Sequence, residues 1–316
     1  MNRKKFLISI GLLGTTTLLF PSNLINSISN KWSNFKHIYS NNKLKREFFK
    51  FLQNVFNLYP EEKLHRLISE SANKKSSDKE IYLDTQSKLD DISTLFSVFK
   101  YDLPALFKQK EEMAMQSIKL LEPGATYNGY LEIGSSGRYL DYLEEKVNIE
   151  GNRYYADGKE PGYSLTEMVD RGQITIGADY IPLADYNTKY SEIIRNESLD
   201  LVTVYIGFHH CPINLRETFI SSIRDTMRIG GKLILRDHDC HDKDQETIVA
   251  LAHDVFNMGT RETWEYNANE TRNFYSLDFI IQFVQEIGFR FEKQTLYQEG
   301  DPTKNSLMLF TKIETS

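Results

Sequence analysis

Cysteine is nearly absent from this chain: Cys211 and Cys240 are the two thiols in 316 residues. So few exclude a disulfide framework, which needs several pairs, and they leave the redox compartment undecided. Positive charge is also in short supply. The 38 Lys and Arg residues stand against 44 Asp and Glu, a formal charge of −6. Phosphate backbones are gripped by a strong basic footprint, so nucleic acid is not an expected partner. No internal repeat is present. What the chain does have is core material: 40% of it is hydrophobic and 12% aromatic. Its length allows one large α/β domain and a smaller helical region.

The N-terminus stands apart from the rest. Arg3, Lys4 and Lys5 precede an uncharged run over residues 6–20, followed by Pro21. A basic start and a short apolar run read as a signal peptide or signal anchor. The run is shorter than the roughly 20 residues a transmembrane helix needs. Residues 3–7 also resemble a twin-arginine signal with its second arginine replaced. Ser27-Ile28-Ser29 is the best cleavage candidate. The absence of acids before Glu47 and the frequent serines support a competing reading, an organellar transit peptide. The expectation is a membrane-associated or signal-directed protein, touching lipid through residues 6–20, with its main domain facing the cytoplasm or inside an organelle. Lys31 and Lys36 offset the basic residues ahead of the run, so charge does not set orientation.

Residues 1–30 are therefore set aside, 31–122 form a helical cap, and 123–316 form the main domain. In the cap, Leu44, Phe48, Phe51, Leu52, Val55 and Phe56 recur at helical spacing. Pro60-Glu61-Glu62 is a helix opening. Residues 73–79 read as a loop, and 80–99 and 104–121 as further helices. Nothing in the cap has the look of a chemical site. Past Gly124 the period changes. Strands are expected at 130–133, 152–156, 173–178, 199–208, 232–236, 289–297 and 307–312. Helices fall between them at 138–146, 213–228, 244–257 and 277–287. Alternating strands and helices predict a mostly parallel sheet covered on both faces. The last two strands, joined by a short turn at Asp301-Pro302, must be antiparallel.

The most informative stretch is Glu132-Ile133-Gly134-Ser135-Ser136-Gly137, a glycine loop between a strand and a helix. Glycines there let the backbone turn tightly and approach a ligand. Asp157 closes the next strand 20 residues beyond Gly137, where a carboxylate can accept both hydroxyls of an adenosine ribose. A dinucleotide fold would place a glycine where Glu132 stands, to seat a pyrophosphate. A carboxylate repels pyrophosphate and suits a ligand that carries an amine and a sulfonium, so nicotinamide dinucleotide chemistry is set aside.

These residues resemble motif I of the class I S-adenosylmethionine-dependent methyltransferases, and further segments follow in that family's order. Residues 177–183, with Asp179 and Tyr180, resemble the third-strand segment whose acid faces the adenine. Residues 198–202 and then Phe208-His209-His210 resemble the fourth strand and its loop. Met227-Arg228-Ile229-Gly230-Gly231-Lys232-Leu233 resembles the turn into the fifth strand. The likeness is to the branch of small-molecule enzymes known as methyltransferase type 11, which includes quinone-biosynthesis methyltransferases. It spans about residues 124–312. It implies a Rossmann-like seven-stranded, mostly parallel sheet with an antiparallel last strand. It also implies S-adenosylmethionine as cofactor, held by Glu132, Gly134, Ser135, Ser136, Gly137, Asp157, Asp179 and Tyr180. The motif I loop departs in carrying two serines where a third glycine is common, and the span from Asp179 to Asp200 is longer than usual. The acceptor, a small molecule and in one reading a lipid-soluble one, does not follow from the fold.

His209-His210-Cys211 follows the fourth strand and Asp237-His238-Asp239-Cys240-His241-Asp242 the fifth, so both should flank the methyl donor. A neutral histidine suits removal of the acceptor's proton, and His210 or His238, with Asp237, is the expected catalytic group. Asp237, His238, Asp239 and His241 could instead hold a divalent ion, but no metal-ligand spacing supports it, and no metal is assigned. Cys211 and Cys240 could pair in an exported domain. Residues 264–265 and 272–275 could wall the acceptor. Two rival functions stay open: a catalytically silent cofactor-binding or scaffold protein, and an aminopropyltransferase using Asp237 and Asp239 as paired acids.

Overall fold

The computed structural model describes residues 32–92, 103–162 and 176–314. The N-terminal signal or anchor expected over residues 1–30 lies outside them. Among the described residues, no helix is long and apolar enough to cross a membrane.

Seven strands form one sheet: β1 (Thr126–Ile133), β2 (Asn148–Asp157), β3 (Asp179–Pro182), β4 (Leu199–Val204), β5 (Met227–His238), β6 (Phe289–Tyr297) and β7 (Asn305–Lys312). Their order is β3-β2-β1-β4-β5-β7-β6. Pairing is parallel from β3 through β5, and β7 runs antiparallel between β5 and β6. This is the expected Rossmann-like arrangement, with the chain reversing direction at its end. Of the strand expected at 173–178, residues 173–175 lie outside the described residues; 176–178 are not strand, and β3 runs over Asp179–Pro182. β4 ends at Val204, short of the expected 208: the Tyr205 N–H still reaches the Ile133 carbonyl at 2.8 Å, and Phe208–His210 coil into a 3₁₀ turn.

Both faces of the sheet are covered. On one, helices Arg216–Thr226 and Leu277–Glu286 bury Phe219, Ile220, Ile223, Ile280 and Val284 against Val202, Leu233 and Phe310. On the other, helices Leu103–Leu120 and Leu140–Glu144 bring Met113, Ala114, Leu140 and Leu143 against Tyr130, Leu201 and Ile234. The helix at 103–120, assigned from sequence to the cap, thus belongs to the sheet's core.

The cap proper is built from helices Asn34–Ser40, Asn42–Phe51, Glu61–Lys74, Asp78–Ser87 and Leu89–Ile92. Helix Asn42–Phe51 runs on through a π turn, Leu52–Phe56. Glu61 and Glu62 occupy the first turn after Pro60, where acids complement the helix dipole. Ser77 and Glu80 form a capping box that starts the helix at Asp78. Phe35, Phe48, Leu64, Ile68 and Tyr82 pack as one cluster with Ile248, Leu251, Val255 and Met258. Those last residues lie on helix Lys243–Gly259, which follows β5. One helix therefore joins cap and sheet.

Candidate active site

The C-terminal edge of the sheet gathers the predicted residues into two neighbouring groups. The first lies at the ends of β1 and β2. Gly134 leaves β1 with φ +80° and Gly137 follows with φ +73°, a conformation that disfavours any side chain. Asp157 is the last residue of β2. The Gly134 N–H donates to the Ala156 carbonyl at 2.7 Å, which locks the loop beside that carboxylate. Asp157 accepts the Gly158 N–H at 2.8 Å. Burial pushes its carboxyl up, against the pull of the Gly158 N–H and the Arg138 guanidinium. Ser136 is buried, and its hydroxyl has no hydrogen-bond partner among the described residues. A buried hydroxyl without a partner costs free energy unless a ligand completes it.

Glu132 behaves differently from expectation. It is 0% exposed, beneath the loop and turned away from solvent. It accepts from the Ser135 hydroxyl, from the Tyr130 hydroxyl at 3.0 Å and from the Tyr139 N–H at 3.4 Å. Burial raises its carboxyl to about 7. Ser135 in turn accepts the Gly137 N–H at 3.2 Å. Glu132 and Ser135 thus shape the loop from below, and the charge contact with a ligand amine expected of Glu132 is replaced by internal hydrogen bonds.

Asp179 is also displaced from its expected place. It opens β3 opposite Tyr154, three residues before the edge, where Pro182 pairs with Asp157. At about 3.3 Å per residue it lies roughly 10 Å short of the crevice. The acid that does stand at the end of β3 is Asp185, held at φ +51°. Tyr180 is closer to the site: its hydroxyl donates to the Asp157 carbonyl at 3.3 Å.

The second group lies at the ends of β4 and β5, where four of the seven histidines meet. The ring of His209 lies 4.1 Å from that of His210, 5.3 Å from His238 and 5.0 Å from His253. Asp237, fully buried, accepts the His209 N–H at 2.8 Å and bonds the His209 Nδ1 at 2.7 Å. It also accepts the His238 N–H at 2.6 Å. Burial pushes Asp237 up to about 6 and His238 down to about 4, and it lowers His209, His210 and His253 as well. Desolvation penalises the imidazolium form, so these rings are held neutral.

Of the two segments considered for an acceptor wall, 272–275 lies with Thr271 against the histidines, whereas Trp264 packs on the cap cluster and Glu265 pairs with Lys79. The Thr271 carbonyl meets His210 Nδ1 at 2.9 Å, the Asn273 N–H donates to the His209 carbonyl at 2.9 Å, and the Phe274 ring lies 5.4 Å from His209. Arg272 fixes this segment through ion pairs of 2.7 Å to Asp254 and Glu270.

Two residues escaped the sequence reading of this group. His253 sits mid-helix in Lys243–Gly259, and no spacing links it to β4 or β5. Arg216 is buried over the Tyr275 ring, 4.5 Å from its centroid, and its Nε and Nη2 have no partner.

The remaining expectations are corrected by geometry. Asp239 accepts the Leu277 N–H and the Tyr297 hydroxyl and pairs with the exposed His241 at 2.8 Å. Asp237 is spent on His209 and His238. The two acids are therefore not available as paired amine ligands, and Asp237, His238, Asp239 and His241 do not form a common ion site. Cys211 and Cys240 are both buried and free, so the pairing considered for them is not made.

No protein family matches the sequence, and no curated protein does. Solved structures align distantly. A chain of the complex between the Haloferax volcanii Trm112 methyltransferase activator and a proposed methyltransferase aligns at 9% identity and TM-score 0.45, over 67% of this chain and 94% of that one. The Burkholderia thailandensis 1,6-didemethyltoxoflavin-N1-methyltransferase, with its substrate and S-adenosylhomocysteine bound, aligns at 13% and 0.42, over 74% and 88%. The mitomycin 7-O-methyltransferase MmcR aligns at 12% and 0.43, over 79% and 66%. None of these reaches a similarity at which a site residue could be carried across.

Proposed function

We propose that the chain transfers a methyl group from S-adenosylmethionine to a small-molecule oxygen, nitrogen or carbon nucleophile. The observation that carries this reading is the pairing of a left-handed glycine loop with Asp157 on adjacent strand ends, on the same edge as a neutral histidine cluster. The residues present suit the cofactor. Asp157 offers an acceptor for a ribose diol, and the buried, unpartnered Ser136 hydroxyl offers a further polar contact. Gly134 and Gly137 give the loop its shape, with Glu132 and Ser135 supporting it from beneath.

When bound, the cofactor supplies an electrophilic methyl group, so the protein's work is alignment and proton removal. Asp237 holds His209 in one orientation. His210 and His238 donate Nδ1–H to the carbonyls of Thr271 and Thr303, at 2.9 and 3.0 Å, and keep an Nε2 lone pair for a proton. Residues 271–275 wall the acceptor, which can be lipid-soluble. The domain then works where the methyl donor is available, on the cytoplasmic side of a membrane or within an organelle.

Calorimetric titration of the full chain with S-adenosylmethionine and with NAD tests this. The first should bind and the second should not. Asp157→Ala, which removes hydrogen bonds to a charged acceptor, should weaken binding about tenfold or more. Equal or tighter binding of NAD would refute the reading. Binding without turnover over a panel of acceptors would favour the silent scaffold.

A further inference from the structure

The histidine cluster carries an arrangement that proton transfer alone does not explain. Each of its four rings has Nδ1 on an acceptor. For His209 this is the Asp237 carboxylate, and for His210 the Thr271 carbonyl. For His238 it is the Thr303 carbonyl at 3.0 Å, and for His253 the Val249 carbonyl at 2.8 Å. A carbonyl only accepts, so His210, His238 and His253 carry their hydrogen on Nδ1, and an ionised Asp237 draws the His209 hydrogen to Nδ1 as well, which leaves each Nε2 its lone pair. Yet His209 Nε2 and His253 Nε2 lie 3.0 Å apart. Two lone pairs at that distance repel unless something positive sits between them.

We propose that His209, His210 and His253 form a site for a divalent transition-metal cation, zinc first among them, with a coordination position left for an acceptor atom. A proton shared by His209 and His253 would relieve that pair but would not account for the third ring, His210, gathered 4.1 Å from His209 and 5.3 Å from His253. One nitrogen of each of the three rings lies within 4.8 Å of the other two. Zinc–nitrogen bonds of about 2.0–2.1 Å place tetrahedral neighbours about 3.3 Å apart, so the most distant pair has to close by about 1.5 Å at most. The donor set is all imidazole, which suits zinc, nickel, cobalt or copper rather than magnesium or calcium.

The surroundings fit the same assignment. Metal-bound histidines characteristically pass their other N–H to a carboxylate or a backbone carbonyl, which fixes the tautomer and makes the ligand more basic. All three rings do so here. Asp237 beside His209, and Glu270 with Oε1 3.8 Å from His210 Nδ1, set negative charge behind two of the ligands. The cation's role rests on the proposed methyl transfer. A bound acceptor hydroxyl would be made more acidic by the ion, and His238, outside the trio, would take its proton.

The metal can be tested without methyl transfer. Full chain free of any histidine tag is stripped with a chelator and titrated with Zn²⁺, with Mg²⁺, and with Co²⁺ followed by its visible absorption. One equivalent of Zn²⁺ should bind, Mg²⁺ should not compete, and Co²⁺ should show a low-symmetry spectrum. His210→Gln and His253→Gln, checked for folding by thermal melting, should each lose at least about tenfold in affinity. Asp237→Asn, which removes the negative charge behind His209 and leaves the three ligand rings in place, should lose about 10- to 100-fold. Zn²⁺ binding that is substoichiometric, or undiminished in all three variants, would overturn the site. S-adenosylmethionine binding is read in a separate titration, so failure there leaves the metal result standing.

Discussion

Gly134 and Ile206 touch with no room for another atom. A Cβ built on Gly134 would fall 2.2 Å from the Cβ of Ile206 and 2.5 Å from its backbone nitrogen. The glycine at the head of the loop therefore answers first to the chain leaving β4, and only through it to a ligand. Gly134→Ala adds a left-handed penalty of about 1–2 kcal/mol to a clash with backbone. The expected outcome is a loss of roughly 2 kcal/mol or more in urea unfolding, together with weaker cofactor binding. Unchanged stability would mean that the loop is free to move.

Glu132 makes stability depend on pH. Its folded carboxyl sits near 7 against a reference of 4.5, so the folded state holds its proton more tightly than the unfolded one. That contribution is complete below about pH 4.5 and is lost as pH rises through 7, about 3 kcal/mol at most. Glu132→Gln is tolerated sterically, because the Tyr130 hydroxyl can turn to Thr203, 2.8 Å away. Thermal melts from pH 5 to 8 should show the wild type losing ground to the variant. Parallel curves would contradict a buried, protonated carboxyl.

Arg272 anchors the segment 271–275 beside the histidines. Its guanidinium bonds the buried Asp254 and the half-buried Glu270 at 2.7 Å and the Asn267 side chain at 2.8 Å. Arg272→Ala removes the cation from the buried Asp254 and the half-buried Glu270, at a cost of about 3 kcal/mol. Equilibrium unfolding should detect it. A loss under 1 kcal/mol would show that the network is solvated.

Gly259 sets two small effects against each other. Replacing a helical glycine by alanine stabilises by about 1 kcal/mol in the open. Here the new Cβ would lie 2.5 Å from the tip of Phe56, inside a packed aromatic cluster. Overpacking costs about 1–3 kcal/mol, so Gly259→Ala should destabilise on balance. A higher melting temperature would mean that Phe56 yields.

Much of the fold is legible in the residues because period and punctuation agree. The glycine loop, the acid ending β2, the β5 exit and the reversing last strand follow from strand lengths and turns. The placement of β3 does not, because its four residues are too few to alternate convincingly. Which way Glu132 points is equally hidden, since a strand pattern that is apolar on both faces gives no parity. Helix 103–120 reads as apolar on one side, but nothing local says whether that side meets the cap or the sheet. His253 is invisible for a deeper reason. It enters the site through tertiary packing, 43 residues after His210 along the chain.

Helix Lys243–Gly259 has a double allegiance. Its Ile248, Leu251, Val255 and Met258 belong to the aromatic interior of the cap, while its His253 belongs to the imidazole nest. The two sides turn as one rod. A cavity opened at Phe48 or Tyr82, away from the histidines, would therefore be felt as a tilt of the His253 ring, and the N-terminal helices act as the brace that keeps the nest in register.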